Sequence, residues 1–201
     1  MKFSLIYRNI FLYRTVMNVL YKGKYKKRSY DIINRIDDKN KKVLDLCFGD
    51  VIIAEECKKR NIEWIGFDIN PYFAKYAQKK GFNASTQDIE KLSVFPKADI
   101  CILSGSLYHF YPEIKLILAK MLDSSAKIII SEPIINLTSQ KGIIGKIAGV
   151  LSNAGKGEES FRFTSESIKL TLSNLKEELN YDFKIIDEKR DILIEITHAK
   201  N

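Results

Sequence analysis

Apolar positions along the chain switch repeatedly between short continuous runs and a spacing of three and four, which predicts strands alternating with helices. Lys42-Val43-Leu44-Asp45-Leu46 is an apolar run with β-branched content that breaks at Cys47-Phe48-Gly49-Asp50 and passes into VIIAEECKKR, apolar at helical spacing. Ile62 to Phe67 makes a second strand, ended by Asp68. The next helix is punctuated by Asn70 as N-cap, Pro71 at the first helical position and Gly81 just past the end. FNASTQ is a third strand closed by Asp88, Asp99 to Leu103 a fourth, and AKIIISEP a fifth. Thr164 reads as the N-cap of the helix SESIKLTLSNLKEEL, and YDFKIIDEKRDILIEITHAK reads as two strands joined at Glu188-Lys189-Arg190. Such alternation predicts an α/β fold: a doubly wound, mostly parallel sheet with helices on both faces. With 201 residues and 45% hydrophobic content, one domain spanning residues 1–201 can bury a substantial core.

Two segments fall outside this rhythm. FSLIYRNIFLYRTVMNVLY, residues 3–21, is amphipathic on a helical wheel: Ser4, Arg8, Arg14, Thr15 and Asn18 share one sector, and Leu5, Ile6, Ile10, Leu12, Tyr13, Val16, Met17 and Leu20 fill the opposite face. Arg8 and Arg14 interrupt any apolar core of a signal peptide, and the stretch is too short and too charged to span a bilayer. Lys22, Lys24, Lys26, Lys27 and Arg28 follow it. Residues 1–28 therefore read as a basic amphipathic extension, either packed over the mouth of a site or lying on anionic lipid. The second segment, 134–164, carries five glycines and a short apolar piece, and an insertion of this size suits a substrate cover.

In an open α/β sheet, ligands sit beyond the carboxyl ends of the strands, where a tight turn brings backbone amides at a helix N-terminus close. Gly49 fits that turn. Asp68 at the end of the second strand can accept both hydrogen bonds of a ribose diol, and Asp88 at the end of the third can take the amino group of an adenine. A nicotinamide site fits less well, because G-x-G-x-x-G is absent and Asp45 precedes the turn.

VLDLCFGD, IGFDINPYFAKYAQKKG, TQDIE, ADICILSGSLYHF and AKIIISEP, in this order and spacing, resemble the successive motifs of the class I S-adenosylmethionine-dependent methyltransferases, from about Lys41 to the C-terminus. The resemblance implies a Rossmann-like seven-stranded sheet closed by a C-terminal antiparallel hairpin. It implies S-adenosylmethionine as cofactor and S-adenosylhomocysteine as product, with Asp45, Cys47, Gly49, Asp68, Ile69, Asp88, Ile89 and Ser104 as cofactor-contacting positions. One departure stands out: of the three alternating glycines usual in the first motif, the first is Cys47 and the third Val51. Glycine permits positive φ and lets a ligand lie against bare backbone, so these side chains narrow the approach.

Methyl transfer is an in-line displacement, which rewards orientation and exclusion of water. A hydroxyl or ammonium acceptor also needs a base, and His109 has the most suitable ordinary pKa; a loop histidine that caps a carbonyl is the plainer alternative. Tyr108 beside it, and Arg162 between Phe161 and Phe163, are candidate acceptor contacts, the arginine suiting a carboxylate or phosphate. Ser104-Gly105-Ser106-Leu107 replaces the Asp/Asn-Pro-Pro-aromatic tetrapeptide of nucleic-acid amino-methylases, which argues against nucleic acid. The expected acceptor is a small molecule, a glycan or a lipid-linked precursor. A nucleoside-binding protein without turnover is the competing class, and an RNA methylase, suggested by the net charge of +8, a third. Cys47, Cys57 and Cys101 lack CxxC spacing and read as reduced thiols of a cytoplasmic protein, peripheral to the membrane if the extension meets lipid. Two histidines without partners at ligand spacing give no metal site.

Overall fold

The computed structural model describes residues 3–37, 39, 41–135 and 161–199. Its strands are β1 (Lys42–Leu46), β2 (Glu63–Asp68), β3 (Asn83–Thr86), β4 (Ala98–Ser104), β5 (Ser125–Pro133), β6 (Tyr181–Glu188) and β7 (Asp191–His198). They form one seven-stranded sheet in the order β3-β2-β1-β4-β5-β7-β6. Pairings from β3 through β5 are parallel, whereas β7 runs antiparallel to both β5 and β6. Because β1 is flanked by β2 and β4, the chain winds outward in both directions from it. That arrangement leaves a crevice at the carboxyl ends of β1 and β4.

Helices α4 (Ile52–Lys59), α5 (Pro71–Lys79), α6 (Ile114–Ser124) and α7 (Ser165–Lys176) cover the sheet. Both faces are apolar, as parallel strands require. Val43, Ile100 and Ile102 pack on one side with Ile53 and Cys57; Leu44, Leu46, Cys101 and Leu103 pack on the other with Ile117, Met121 and Ile168. The helix starts follow the sequence reading. The Asn70 side chain accepts from the Tyr72 N–H, and Thr164 and Ser167 cap each other reciprocally.

The N-terminal segment corrects its wheel. Instead of one helix it forms α1 (Leu5–Arg8), α2 (Ile10–Leu20) and α3 (Tyr25–Ile33). Asn9 interrupts the first two because its side chain accepts from the N–H groups of Phe11 and Leu12, and residues 22 and 23 turn the chain with positive φ. Arg14, assigned by the wheel to the polar sector, points inward and pairs with buried Asp50 (Nη2 to Oδ1 2.6 Å, Nε to Oδ2 2.9 Å). Leu5 and Leu12, assigned to the apolar face, are exposed. A buried carboxylate outweighs amphipathic tidiness, since leaving it unpaired costs more than exposing a leucine. Most of the insertion 134–164 lies outside the described residues, which resume at Phe161.

Within β2, Gly66 lies so close beneath Trp64 that a Cβ would sit 2.0 Å from the indole and 2.8 Å from Phe48. Trp64 is held in place, its Nε1 donating to Asp45 Oδ2 at 3.1 Å and its ring meeting Phe48 edge-on. Gly66→Ala therefore overpacks a fixed cluster and should lower unfolding free energy by about 1–3 kcal/mol in urea titration. A loss under about 0.5 kcal/mol would show that the indole yields freely.

Candidate active site

A cavity of about 250 Å³ opens at the carboxyl ends of β1, β2 and β4. Its base is the loop after β1. Cys47 adopts φ 55° there, the left-handed region that glycine ordinarily fills, and its N–H donates to the Phe67 carbonyl at 2.7 Å. Gly49 follows with φ 59°. The Gly49 N–H donates to Asp68 Oδ2 at 2.9 Å while Asp68 Oδ1 accepts from the Asn70 N–H at 2.8 Å. One carboxylate thus joins the β1 loop to the start of α5, and its remaining lone pairs are available to the cavity it lines. Val51, in contrast, is wholly buried core and lies outside the cavity lining. Of the two, Cys47 alone lines the cavity, so the expectation that both side chains narrow the approach is corrected.

The opposite wall is the end of β4. Ser104, Gly105 and Ser106 line the cavity, followed by a 3-10 turn over Leu107–Phe110 that presents Tyr108 and His109 to it. Fully buried Glu132 fixes that turn, its Oε2 accepting from the Leu107 N–H at 3.0 Å. The His109 and Tyr108 rings lie 3.9 Å apart, and the Arg162 guanidinium sits 3.9 Å over the Tyr108 ring. Three residues singled out for acceptor chemistry therefore meet in one corner, with Phe161 stacked on Tyr111 behind them.

Of the residues expected to contact a cofactor, Cys47, Gly49, Asp68, Ile69 and Ser104 line this cavity. Asp45, Asp88 and Ile89 are not among its lining residues. Asp45 alternates to the Val43 side of β1 and is buried against Trp64. Asp88 accepts from the Glu90 N–H and pairs with Lys91, and Ile89 is buried in the second core cluster.

The roof is the N-terminal extension, for which packing over the mouth of a site was one of two expectations, but none of its lining residues was named in advance. Tyr7, Tyr13, Met17, Tyr21, Tyr25 and Arg28, from α1 to α3, line the cavity from above. The Tyr13 hydroxyl lies 3.3 Å from where a Cβ on Gly49 would be. Arg28 reaches under the roof, donating to the Ser131 carbonyl at 2.9 Å and the Tyr21 hydroxyl at 3.0 Å, and it pairs with Asp191. Its guanidinium would lie 2.1 Å from a Cβ on Gly105, which accordingly has none. The recurrence of tyrosine at 7, 13, 21 and 25 was the available signal, hidden because tyrosine also satisfies an apolar stripe.

Residues 44–127 match a methyltransferase domain family. Among solved structures, human N-acetylserotonin methyltransferase in complex with SAM superposes with TM-score 0.63 at 16% identity over 97% of this chain. This chain spans only 58% of that enzyme's length. Magnesium protoporphyrin IX methyltransferase from Synechocystis PCC 6803, with SAH bound, gives 0.62 at 14% identity, covering 99% of this chain and 89% of the other. The plantazolicin methyltransferase BamL, solved with a desmethylPZN analog and SAH, gives 0.62 at 16% identity over 99% of this chain and 100% of its own. The fold is that of the class I S-adenosylmethionine-dependent methyltransferases. No curated protein sequence matches the chain.

Several acids beneath the crevice of this methyltransferase fold hold protons unusually well. Burial raises Asp45 to about 7, partly offset by the Trp64 hydrogen bond, and raises Asp68 to about 6 against the lowering effect of the Asn70 and Gly49 amides. Burial likewise raises Glu132 to about 7. In the unfolded chain these groups ionise near their ordinary values, so the native state retains protons that the unfolded state has lost. Their contribution to stability is full below the ordinary carboxylate range of about 4, falls as pH rises above it, and is gone once pH passes 6 to 7. Asp45→Asn should therefore flatten the profile, removing about 2–3 kcal/mol of the stability that wild type loses between about pH 5 and pH 8. Parallel wild-type and variant profiles of melting temperature against pH would refute the assignment.

Proposed function

We propose that the protein transfers a methyl group from S-adenosylmethionine to a small-molecule acceptor. The observation that carries this reading is the Asp68 carboxylate, which closes on the Gly49 N–H while lining the same cavity as Ser104, Tyr108 and His109. That arrangement fits the group: bare backbone at Gly49, a carboxylate with spare acceptor sites for a ribose diol, and Ser104 at the end of β4 beside the aromatic corner. The bound cofactor supplies an electrophilic methyl on a sulfonium. The residues around it bind, orient and exclude water. Tyr13, Met17 and Tyr21 cover the cleft, Arg162 and Tyr108 hold the acceptor, and His109 takes a proton from an acceptor hydroxyl or amine.

Glycans and lipid-linked precursors remain within the acceptor class, whose aromatic and cationic walls suit a flat or anionic group. By their names the similar structures methylate N-acetylserotonin and plantazolicin, which is in keeping with a small-molecule acceptor. A second reading, binding without turnover, is favoured by Cys47 standing at positive φ and by Tyr13 over Gly49.

Two measurements test the proposal. Asp68→Asn should weaken S-adenosylhomocysteine binding about ten- to a hundredfold by calorimetry, through loss of a charge-assisted hydrogen bond. Unchanged affinity in a folded variant rejects the ribose contact. With an acceptor in hand, His109→Ala should reduce turnover by about 10²–10⁴-fold at similar cofactor affinity. A loss below about threefold at all accessible pH values would leave His109 structural and orientation as the main source of rate.

A further inference from the structure

The excess positive charge of the chain is segregated. Residues 1–30 contain eight Lys and Arg and neither Asp nor Glu, and since the whole chain has 33 bases against 25 acids, the remainder balances at 25 of each. Two of the eight turn inward, Arg14 to Asp50 and Arg28 to Asp191. Lys27 pairs with Asp31. Among the described residues, Lys22, Lys24 and Lys26 are exposed and have no acidic partner.

These lysines border a strip in which large apolar side chains are interspersed with polar ones. On α2, Phe11, Leu12, Thr15, Asn18 and Val19 follow one another at helical spacing on the outward side, with Phe11 70%, Val19 53% and Leu12 42% exposed. Leu5, on α1, is 75% exposed. Thr15, Asn18, Val19, Lys24, Lys26 and Tyr30 line one shallow groove between α2 and α3. The opposite side of α2 places Tyr13, Met17 and Leu20 in the cavity wall. The outward side therefore also carries large apolar side chains, interspersed with Thr15 and Asn18, that burial does not account for.

We infer that the outer face of α1 to α3 lies on an anionic membrane surface, with Phe11, Leu12 and Val19 among the headgroups and Lys22, Lys24 and Lys26 against their anionic oxygens. Asp31 and Asp50, the acids at this face, are paired with Lys27 and Arg14, and exposed large apolar side chains rimmed by lysine are the composition of an interfacial helix. Nucleic acid would use the same lysines, yet phosphate contacts give no reason to present phenylalanine, leucine and valine in a row. No helix among the described residues is long and apolar enough to cross a membrane, so the contact is peripheral. It would place the bilayer on the outside of the roof whose inside lines the cavity.

The experiment is co-sedimentation of the full chain with vesicles of phosphatidylcholine alone and with about 30 mol% phosphatidylserine, at low and high salt. Wild type should prefer the anionic vesicles at least about tenfold, less so in high salt. Replacing Lys22, Lys24 and Lys26 together by Gln should lose about a hundredfold of that binding. Phe11→Ser with Val19→Ser should lose about tenfold or more while leaving the thermal melt in place. Three results would overturn the inference: no preference for anionic vesicles, binding that depends on the lysines but not on Phe11 and Val19 and transfers to single-stranded RNA, or a concentration-dependent dimer abolished by Phe11→Ser. None of these readouts depends on cofactor binding, so failure here and failure of the methyltransferase reading are separable.

Discussion

Asp68 joins the two halves of the crevice. Its two oxygens take the Gly49 N–H and the Asn70 N–H, so the loop after β1 and the first turn of α5 are set against each other by a single buried carboxylate. Two amide donors at hydrogen-bond distance stabilise its charge, while burial opposes ionisation and wins. The loop owes its shape to this contact as much as to Gly49. Cys47 shows the point: it holds a positive φ that a side chain disfavours, because the Phe67 carbonyl and Asp68 fix the backbone on either side.

The sheet was legible because its signals are local. β-branched runs ending in Asp68 and near Asp88, the Asn70-Pro71 helix start, the Thr164 cap and the Glu188-Lys189-Arg190 turn each depend on neighbours in sequence, and each stands where expected. The floor of the site was legible for the same reason: Cys47, Gly49, Asp68, Ile69 and Ser104 end strands or follow them. Strand alternation also decides the case of Asp45, since a residue between two that face one side must face the other, here toward Trp64. The resemblance assigned it a ligand role, whereas the pleat turns it into the core.

That the extension covers the mouth was one of two expectations, but which of its side chains face inward was not legible, because long-range pairing sets it. A helical wheel sorts Arg14 by polarity and cannot know that Asp50, 36 residues on, is buried and takes its guanidinium. Arg28 was counted with a surface cluster, but it crosses beneath the roof to Ser131 and Asp191, more than a hundred residues away. Both arginines hold α2 and α3 down onto the sheet. Their long stems and planar heads suit that task better than lysine, since each makes several directed hydrogen bonds at once.

Tyr13 carries a consequence for how the cleft fills. Its hydroxyl stands over the bare backbone of Gly49, and its ring packs at 4.9 Å from Phe73 and edge-on to Tyr25. An incoming nucleoside competes with this aromatic cluster for the same surface. The measured dissociation constant is then the intrinsic one divided by the fraction of molecules in which the tyrosine has swung away. Weak apparent binding would thus report the population of an open roof, and substitutions at Tyr7 or Phe73, which pack against the Tyr13 ring, would tune it.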